Sequence, residues 1–242
     1  LVRSRGLGDV YKRQSVCSVA LSMDGEVLFA KASFDGPSHA ALLGVFVEEA
    51  LSVLKKKGKK ALDAVAVSSG PGSYTGLRIG VSVAKGLCFG FGIPLIGIHT
   101  LDIMAATVNS KGDSQIVSIT DDCLYCAMLD ARRMEVYAAI YDASLKPVRE
   151  TKADIVEVGT YASYLEKGKV CFFGNGASKC KSVITSPNAI FIEDIHPLAV
   201  NMIPLSEQAF ATGKFEDTAY FEPFYLKEFQ ATVAKNKVLL AR

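Results

Sequence analysis

The chain has 242 residues, 50% of them hydrophobic, and a formal net charge of +2. That is enough apolar material for one large domain or two small lobes, and too little charge to argue for a nucleic-acid or anionic-membrane binder; no apolar run reaches membrane-spanning length and no signal peptide is recognisable. The six cysteines, at 17, 88, 123, 126, 171 and 180, are scattered through apolar segments, which reads as reduced core residues and a cytoplasmic protein rather than a disulfide framework.

Residues 1–14, LVRSRGLGDVYKRQ, show no apolar period and carry Arg3, Arg5, Lys12 and Arg13 against Asp9. They read as a non-native segment resembling translated sequencing-adaptor sequence; the alternative is a basic arm for RNA. Val16 to Leu21 and Glu26 to Phe34 alternate as strands, with the hairpin signal Asp24-Gly25 between them. Ser38 can cap a helix running to about Leu54. Its apolar positions (Leu42, Leu43, Val45, Phe46, Val47, Ala50, Leu51, Val53 and Leu54) are wider than the stripe a surface helix needs. Two buried faces would account for that, one on the core and one on a partner. The run Lys55 to Lys60 is either a solvated helix end or an RNA contact.

Ala64 to Val67 is an apolar strand that breaks at Gly70-Pro-Gly72, and Ser73 or Thr75 can cap a helix from Tyr74 to Phe91. Strand, glycine loop and helix N-terminus together can present backbone N–H groups to an anion. Gly70, Gly72, Ser73 and Thr75 are therefore candidate nucleotide- or anion-facing residues; the alternative is a tight turn for close strand–helix packing. The spacing is neither a Walker A loop nor the dinucleotide fingerprint. Gly76, Gly80 and Ala84 share one helix face and invite close approach of another backbone, within the lobe or across an interface. Pro94 to Ile98 is a strand and Leu101 to Val108 a short helix, which argues for a right-handed crossover in a mixed sheet.

Lys111-Gly-Asp-Ser114 reads as a linker between a lobe at 15–110 and a second at 111–230, followed by a tail at 231–242. In the second lobe, Gln115 to Thr120 is a strand. Tyr125 to Leu129 and Met134 to Tyr141 flank Asp130-Ala-Arg-Arg133 as a hairpin, and Ile155 to Leu165 is a helix. Lys169 to Phe173 is a strand ending in Gly174-Asn-Gly176, Ala189 to Ile192 another, and Pro197 to Thr212 a helix. Ala219 to Phe229 is aromatic and extended and docks back on the body. Arg132 and Arg133 can contact an anion in the cleft or pair with Asp130 and Glu135 to fix the turn. Gly174 and Gly176 can face a nucleotide or form a plain turn.

Cys123-Leu-Tyr-Cys126 lacks the second ligand pair of a zinc site and enters a strand rather than opening a helix, so two core cysteines are the better reading. The histidines, at 39, 99 and 196, have no metal-ligand spacing, and no G-x-S-x-G elbow is present. Neither a catalytic residue nor a metal ligand is assigned.

The string GPGSYTGLRIG at 70–80, Val81-Ser-Val-Ala-Lys-Gly-Leu87, Ile93-Pro-Leu-Ile-Gly-Ile98, Leu129-Asp-Ala-Arg-Arg-Met-Glu-Val-Tyr137 and Glu222-Pro-Phe-Tyr-Leu226 closely resembles the TsaB (YeaZ) family, in order and over nearly the whole chain. The resemblance implies a two-lobed actin-like fold of the sugar-kinase/Hsp70 ATPase type, with mixed sheets flanked by helices. It implies a non-catalytic partner in bacterial synthesis of tRNA N6-threonylcarbamoyladenosine. The chain would support a TsaD-type transferase and a TsaE-type ATPase, dimerise when alone, and meet tRNA only through the complex. No cofactor would be held tightly, with ATP or ADP entering at the level of the complex. The partner surface would include His39, Leu42, Phe46, Glu49, Val53, Gly76, Leu77, Arg78 and Gly80. The catalytic paralogue carries two metal-binding histidines four apart on the first helix, whereas His39 is followed at that offset by Leu43. In the family the chain opens with a strand and an Ile-Asp-Thr-Ser-type loop; here that strand half and its aspartate are absent. The rival reading is a degenerate actin-like enzyme, either a sugar-kinase-like phosphotransferase or a peptidase-like hydrolase; phosphotransfer would need a Mg²⁺-binding carboxylate and a base that the sequence does not place.

Overall fold

The computed structural model describes residues 2–5, 16–34, 39–58, 62–110 and 123–226. The Ser38 cap, the linker at 111–114, the strand expected at 115–120 and the tail beyond 226 lie outside them.

Strands β1 (Val2–Arg5), β2 (Cys17–Met23), β3 (Glu26–Ser33), β4 (Val65–Gly70) and β5 (Leu95–His99) form a first sheet in the order β3-β2-β1-β4-β5. The β2–β3 turn has Asp24 and Gly25 both at positive φ (52° and 80°), as a two-residue hairpin requires. β1 runs antiparallel to β2 and parallel to β4. The strand position expected to be empty is thus filled by residues of the opening segment. A ladder is made by backbone N–H and C=O groups, so an extended segment of almost any composition can occupy a slot between two strands.

Helices α1 (His39–Lys56) and α2 (Tyr74–Phe91) cover one face of this sheet. The core there is Leu43, Phe46, Val47, Ala50 and Leu54 from α1, with Val81, Ala84 and Cys88 from α2, packed on Val19, Val65, Val67 and Leu95. α2 starts and stops where its signals stand: Ser73 Oγ accepts from the Gly76 amide at 3.5 Å, and Gly92 closes the helix in the left-handed region (φ 66°).

The other face is covered by α3 (Thr100–Ser110), a 3₁₀ turn at Ala199–Met202 and α6 (Ile203–Ala211). α3 is apolar on two sides. Ile103 packs on Ile96 and Ile98 of the first sheet, while Leu101, Met104, Ala105 and Val108 pack on Ala127, Leu129, Ala139 and Phe173 of the second. α3 is thus a helix with two buried faces, lying between the sheets.

The second sheet has the order β10-β9-β6-β7-β8, from β6 (Leu124–Asp130), β7 (Glu135–Tyr141), β8 (Pro147–Ile155), β9 (Val170–Phe173) and β10 (Ala189–Ile192). Its outer face is closed by α4 (Ala162–Leu165) and α5 (Ala177–Cys180). The helix expected over 155–165 is corrected. Extended backbone continues to Ile155, Gly159 turns at φ 89°, and only Ala162–Leu165 is helical. The chain then returns: Ala199, Met202, Ile203 and Ala209 pack on Ala20, Ala66, Ile96 and Ile98, so residues placed in the second lobe by sequence order complete the core of the first.

Candidate functional site

The C-terminal ends of β4 and β5 meet the N-termini of α2 and α3 beside the second sheet, and the sequence-predicted glycine turn lies there. Ser68 and Thr100 hydroxyls hydrogen-bond at 2.7 Å beneath it, and Ser69 Oγ lies 3.3 Å from His99 Nδ1. Gly70 sits at φ 116°, a region that strains any other residue.

The turn is covered by the chain itself. The Phe224 amide donates to the Ser69 carbonyl at 2.7 Å. A Cβ on Gly70 would stand 2.7 Å from the Phe224 carbonyl oxygen, so glycine there permits the tail to lie against the turn. The seating is extensive. Glu216 bridges Leu95, Phe221 presses against Gly97, and Lys85 Nζ donates to the Ala219 and Phe221 carbonyls at 2.9 and 3.1 Å. The Phe224 ring meets His99 edge-on, with centroids 5.3 Å apart. Tyr225 packs on Tyr74 with centroids 5.0 Å apart. Arg78, an unfavourable cation in the first turn of a helix, lies 4.3 Å over the Tyr74 ring and donates from Nε to Tyr225 Oη at 3.4 Å. The docking tail was anticipated; its seat on the glycine turn was not.

The residues assigned to a partner surface divide. Phe46 and Leu77 are 4% and 2% exposed, and Gly76 and Gly80 are buried, all turned into the first lobe. Their placement on a partner surface is corrected: the small-residue face of α2 lets that helix approach its own sheet. Leu42 and Val53 are half-buried, Glu49 pairs with Lys31 at 2.7 Å, and Arg78 is exposed; His39 opens α1.

On the second lobe, Gly174 has φ 98°, and a Cβ there would overlap Met104 Cε and the Met128 carbonyl oxygen. A Cβ on Gly176 would lie 2.8 Å from the Leu129 carbonyl carbon. Asn175 Oδ1 accepts from the Asp130 amide at 2.9 Å. These glycines therefore make room for neighbouring backbone. In the turn after Asp130, Arg132 and Arg133 take left-handed φ values of 72° and 48° and are exposed. Asp130 Oδ1 accepts from the Arg132 amide at 2.8 Å, but its ion pair is with Lys179, whose Nζ also donates to the Arg133 and Glu135 carbonyls at 2.7 and 2.6 Å. No sequence signal linked Lys179 to this turn, because it comes from α5, 49 residues away. Lys179→Met should lower stability by about 1–2 kcal/mol through two lost carbonyl contacts and a partly screened ion pair. Urea unfolding with hydrogen exchange at the Ala131 and Glu135 amides measures it, and unchanged protection there would refute the clamp.

Between the lobes lies a cavity of about 290 Å³ whose lining includes His99, Asp102, Tyr141, Arg149, Glu150 and Phe224. Tyr141 Oη donates to Asp102 Oδ1 at 2.6 Å, and burial together with the Asp102 charge holds the phenol well above its ordinary range. Arg149 is neutralised by Asp154 through contacts at 2.6 and 3.2 Å. Among the described residues no group of three or more His, Cys, Asp or Glu side chains could hold a metal ion.

Two sheets with a helix between them, a cleft at the strand ends and these glycine turns define a two-lobed actin-like α/β protein. A profile of the family described as "TsaD: tRNA N6-adenosine threonylcarbamoyltransferase" matches residues 35–235. The Escherichia coli (strain K12) tRNA threonylcarbamoyladenosine biosynthesis protein TsaB is 30% identical over 235 residues, covering 87% of this chain and 90% of that protein. Its Bacillus subtilis (strain 168) counterpart is 38% identical over 80 residues, 33% of this chain and 31% of that protein. Among solved structures, YeaZ from Pseudomonas aeruginosa is 26% identical, with a TM-score of 0.67 and coverage of 87% of this chain and 94% of that one. A second Pseudomonas aeruginosa protein, described as similar to peptidase YEAZ, shares the fold at a TM-score of 0.71 and 23% identity, over 94% of this chain and 100% of that one. The chain belongs to the TsaB family.

Proposed function

We propose that this chain is a non-catalytic subunit of bacterial tRNA threonylcarbamoyladenosine synthesis that binds and supports a TsaD-type transferase in the cytoplasm. The observation that carries the reading is the match to E. coli TsaB over 90% of that protein's length. Leu43 supports the non-catalytic part: where the resemblance to the paralogue calls for a second metal-binding histidine, this side chain is fully buried in the first-lobe core. A TsaE-type ATPase, and ATP or ADP, join at the level of the complex.

The outward side of α1 and α2 suits a partner. Val45 and Phe89 are 46% and 89% exposed, and an added Cβ at Gly44, Gly86 or Gly90 would meet nothing within 4 Å. Helical glycine costs about 1 kcal/mol relative to alanine, and close approach of another helix would offset it. The same patch would join two copies of this chain when the partner is absent.

Reconstitution with a TsaD-type enzyme, a TsaE-type ATPase, a source of threonylcarbamoyl-adenylate and a tRNA reading codons that begin with A tests the proposal. Modified adenosine is expected only when this chain is present, and none from this chain alone. Phe89→Asp should keep the fold, weaken association at least tenfold and reduce modification in step. Full modification without the chain, or turnover by the chain in isolation, would overturn the proposal.

A further inference from the structure

Cys123 and Cys126 were read from the sequence as two core cysteines, and the thiol beside Cys123 is neither Cys126 nor any cysteine near it in sequence. Cys123 Sγ lies 2.8 Å from Cys171 Sγ, although the two stand 48 residues apart. The register explains the meeting. β6 and β9 run parallel with Tyr125 opposite Cys171, and Cys123, two residues before Tyr125, falls on the same side of the sheet. Cys126 falls on the opposite side and packs with Val136 and Phe172 in the outer core, so the sequence-adjacent pair is split between two faces. Both members of the spatial pair are buried, at 1% and 0% exposure, and both are thiols in this structure.

The geometry points to a redox modification site: Cys123 and Cys171 form a reversible disulfide when a peroxide-class oxidant reaches them. The thiolate of Cys123 attacks one oxygen of hydrogen peroxide. The O–O bond breaks, giving a sulfenic acid on Cys123 and releasing water once the departing hydroxide takes up a proton. Cys171 Sγ then attacks the Cys123 sulfur, the S–O bond breaks, and the second water leaves with the Cys171 proton. The two thiols are oxidised by two electrons and the peroxide is reduced to two waters. Cys123 stands immediately before the start of β6, the end that local opening exposes first, which makes it the attacking sulfur and Cys171 the resolving one. Opening of the β6 end gives the oxidant its access. The resulting bond would staple β6 to β9 on the α3-facing side of the second sheet, at the end where the chain enters from residues 111–122.

The test uses the full reduced chain, treated with hydrogen peroxide, alkylated under denaturing conditions and digested for mass spectrometry. A Cys123–Cys171 cross-linked peptide lacking two hydrogens is expected, reversed by dithiothreitol, while Cys17, Cys88, Cys126 and Cys180 are alkylated as before. Cys171→Ala should stop the reaction at a Cys123 sulfenic acid that dimedone captures. If that variant does not fold, the cross-link in the unaltered chain decides alone. Alkylation of Cys123 and Cys171 to the same extent as Cys17 after peroxide, or a cross-link that uses Cys126, would overturn the inference.

Discussion

Phe46→Asp should unfold the first lobe rather than separate subunits. The ring is 4% exposed, among Leu43, Val47, Val19 and Val67. Removing a buried phenylalanine costs about 3–5 kcal/mol in lost transfer energy and cavity, before any charge is considered. The carboxylate would add a desolvation penalty of several kcal/mol. Lys31, whose Nζ lies 4.9 Å over the ring, could offset part of it, but that ammonium is already held by Glu49 at 2.7 Å. Against a total stability of about 5–15 kcal/mol for a typical domain, the loss is decisive. Urea unfolding followed by circular dichroism should show most of the first-lobe transition gone. Phe89→Asp serves as the paired control and should unfold like the parent. A folded, monomeric Phe46→Asp protein would return Phe46 to the partner surface and refute its place in the core.

Gly174→Ala should be almost as damaging, although it adds one methyl group. At φ 98° an L-residue is strained by about 1–3 kcal/mol. Its Cβ would also overlap two atoms of different kinds. Met104 Cε is the end of a flexible side chain and can move; the Met128 carbonyl oxygen is main chain and accepts from the Gly176 amide at 3.1 Å, so it cannot move without disturbing that bond. We expect a loss of about 3 kcal/mol or more, read as a fall in melting temperature. Met104→Ala alone creates a cavity, but combined with Gly174→Ala it should recover part of the loss, because it removes one of the two clashes. A Gly174→Ala chain that melts with the parent would show that the second lobe does not need glycine there.

The parts of the fold that could be read in advance are those whose signals are local. Asp24-Gly25 marked the hairpin, Ser73 was one of two candidate caps for α2, and the α2 boundaries agree with the expectation. β8 was missed because it is an edge strand of largely exposed polar residues, which carries no alternation of hydrophobicity to detect. α4 and α5 span 4 residues each, too short for a helical period to show. For the site, Gly70, Gly174 and Gly176 were singled out, and their need for glycine is visible in the structure. A glycine records that something comes close; it does not record what. At Gly70 what comes close is the Phe224 backbone, and at Gly174 and Gly176 it is the Met128 and Leu129 backbone. Phe46, Leu77, Gly76 and Gly80 were misplaced for a related reason. Apolar width on a helix shows that more than one side is buried, and tertiary context alone decides against what.

The return of the chain to the first sheet also bears on the order of events during synthesis. The second sheet draws on one continuous stretch, 124–192, with short connections among most of its strands. The first is discontinuous: its far face waits for Ala199 to Ala211, and the seat over the Ser69–Gly70 turn waits for Phe224. On a ribosome, which releases sequence from the N-terminus onward, the first-made lobe is the last that can close. Until then Ala20, Ala66 and Ile96 have only part of their cover. The nascent chain thus carries an open apolar sheet face through most of its elongation, and the downstream lobe can be complete before the upstream one.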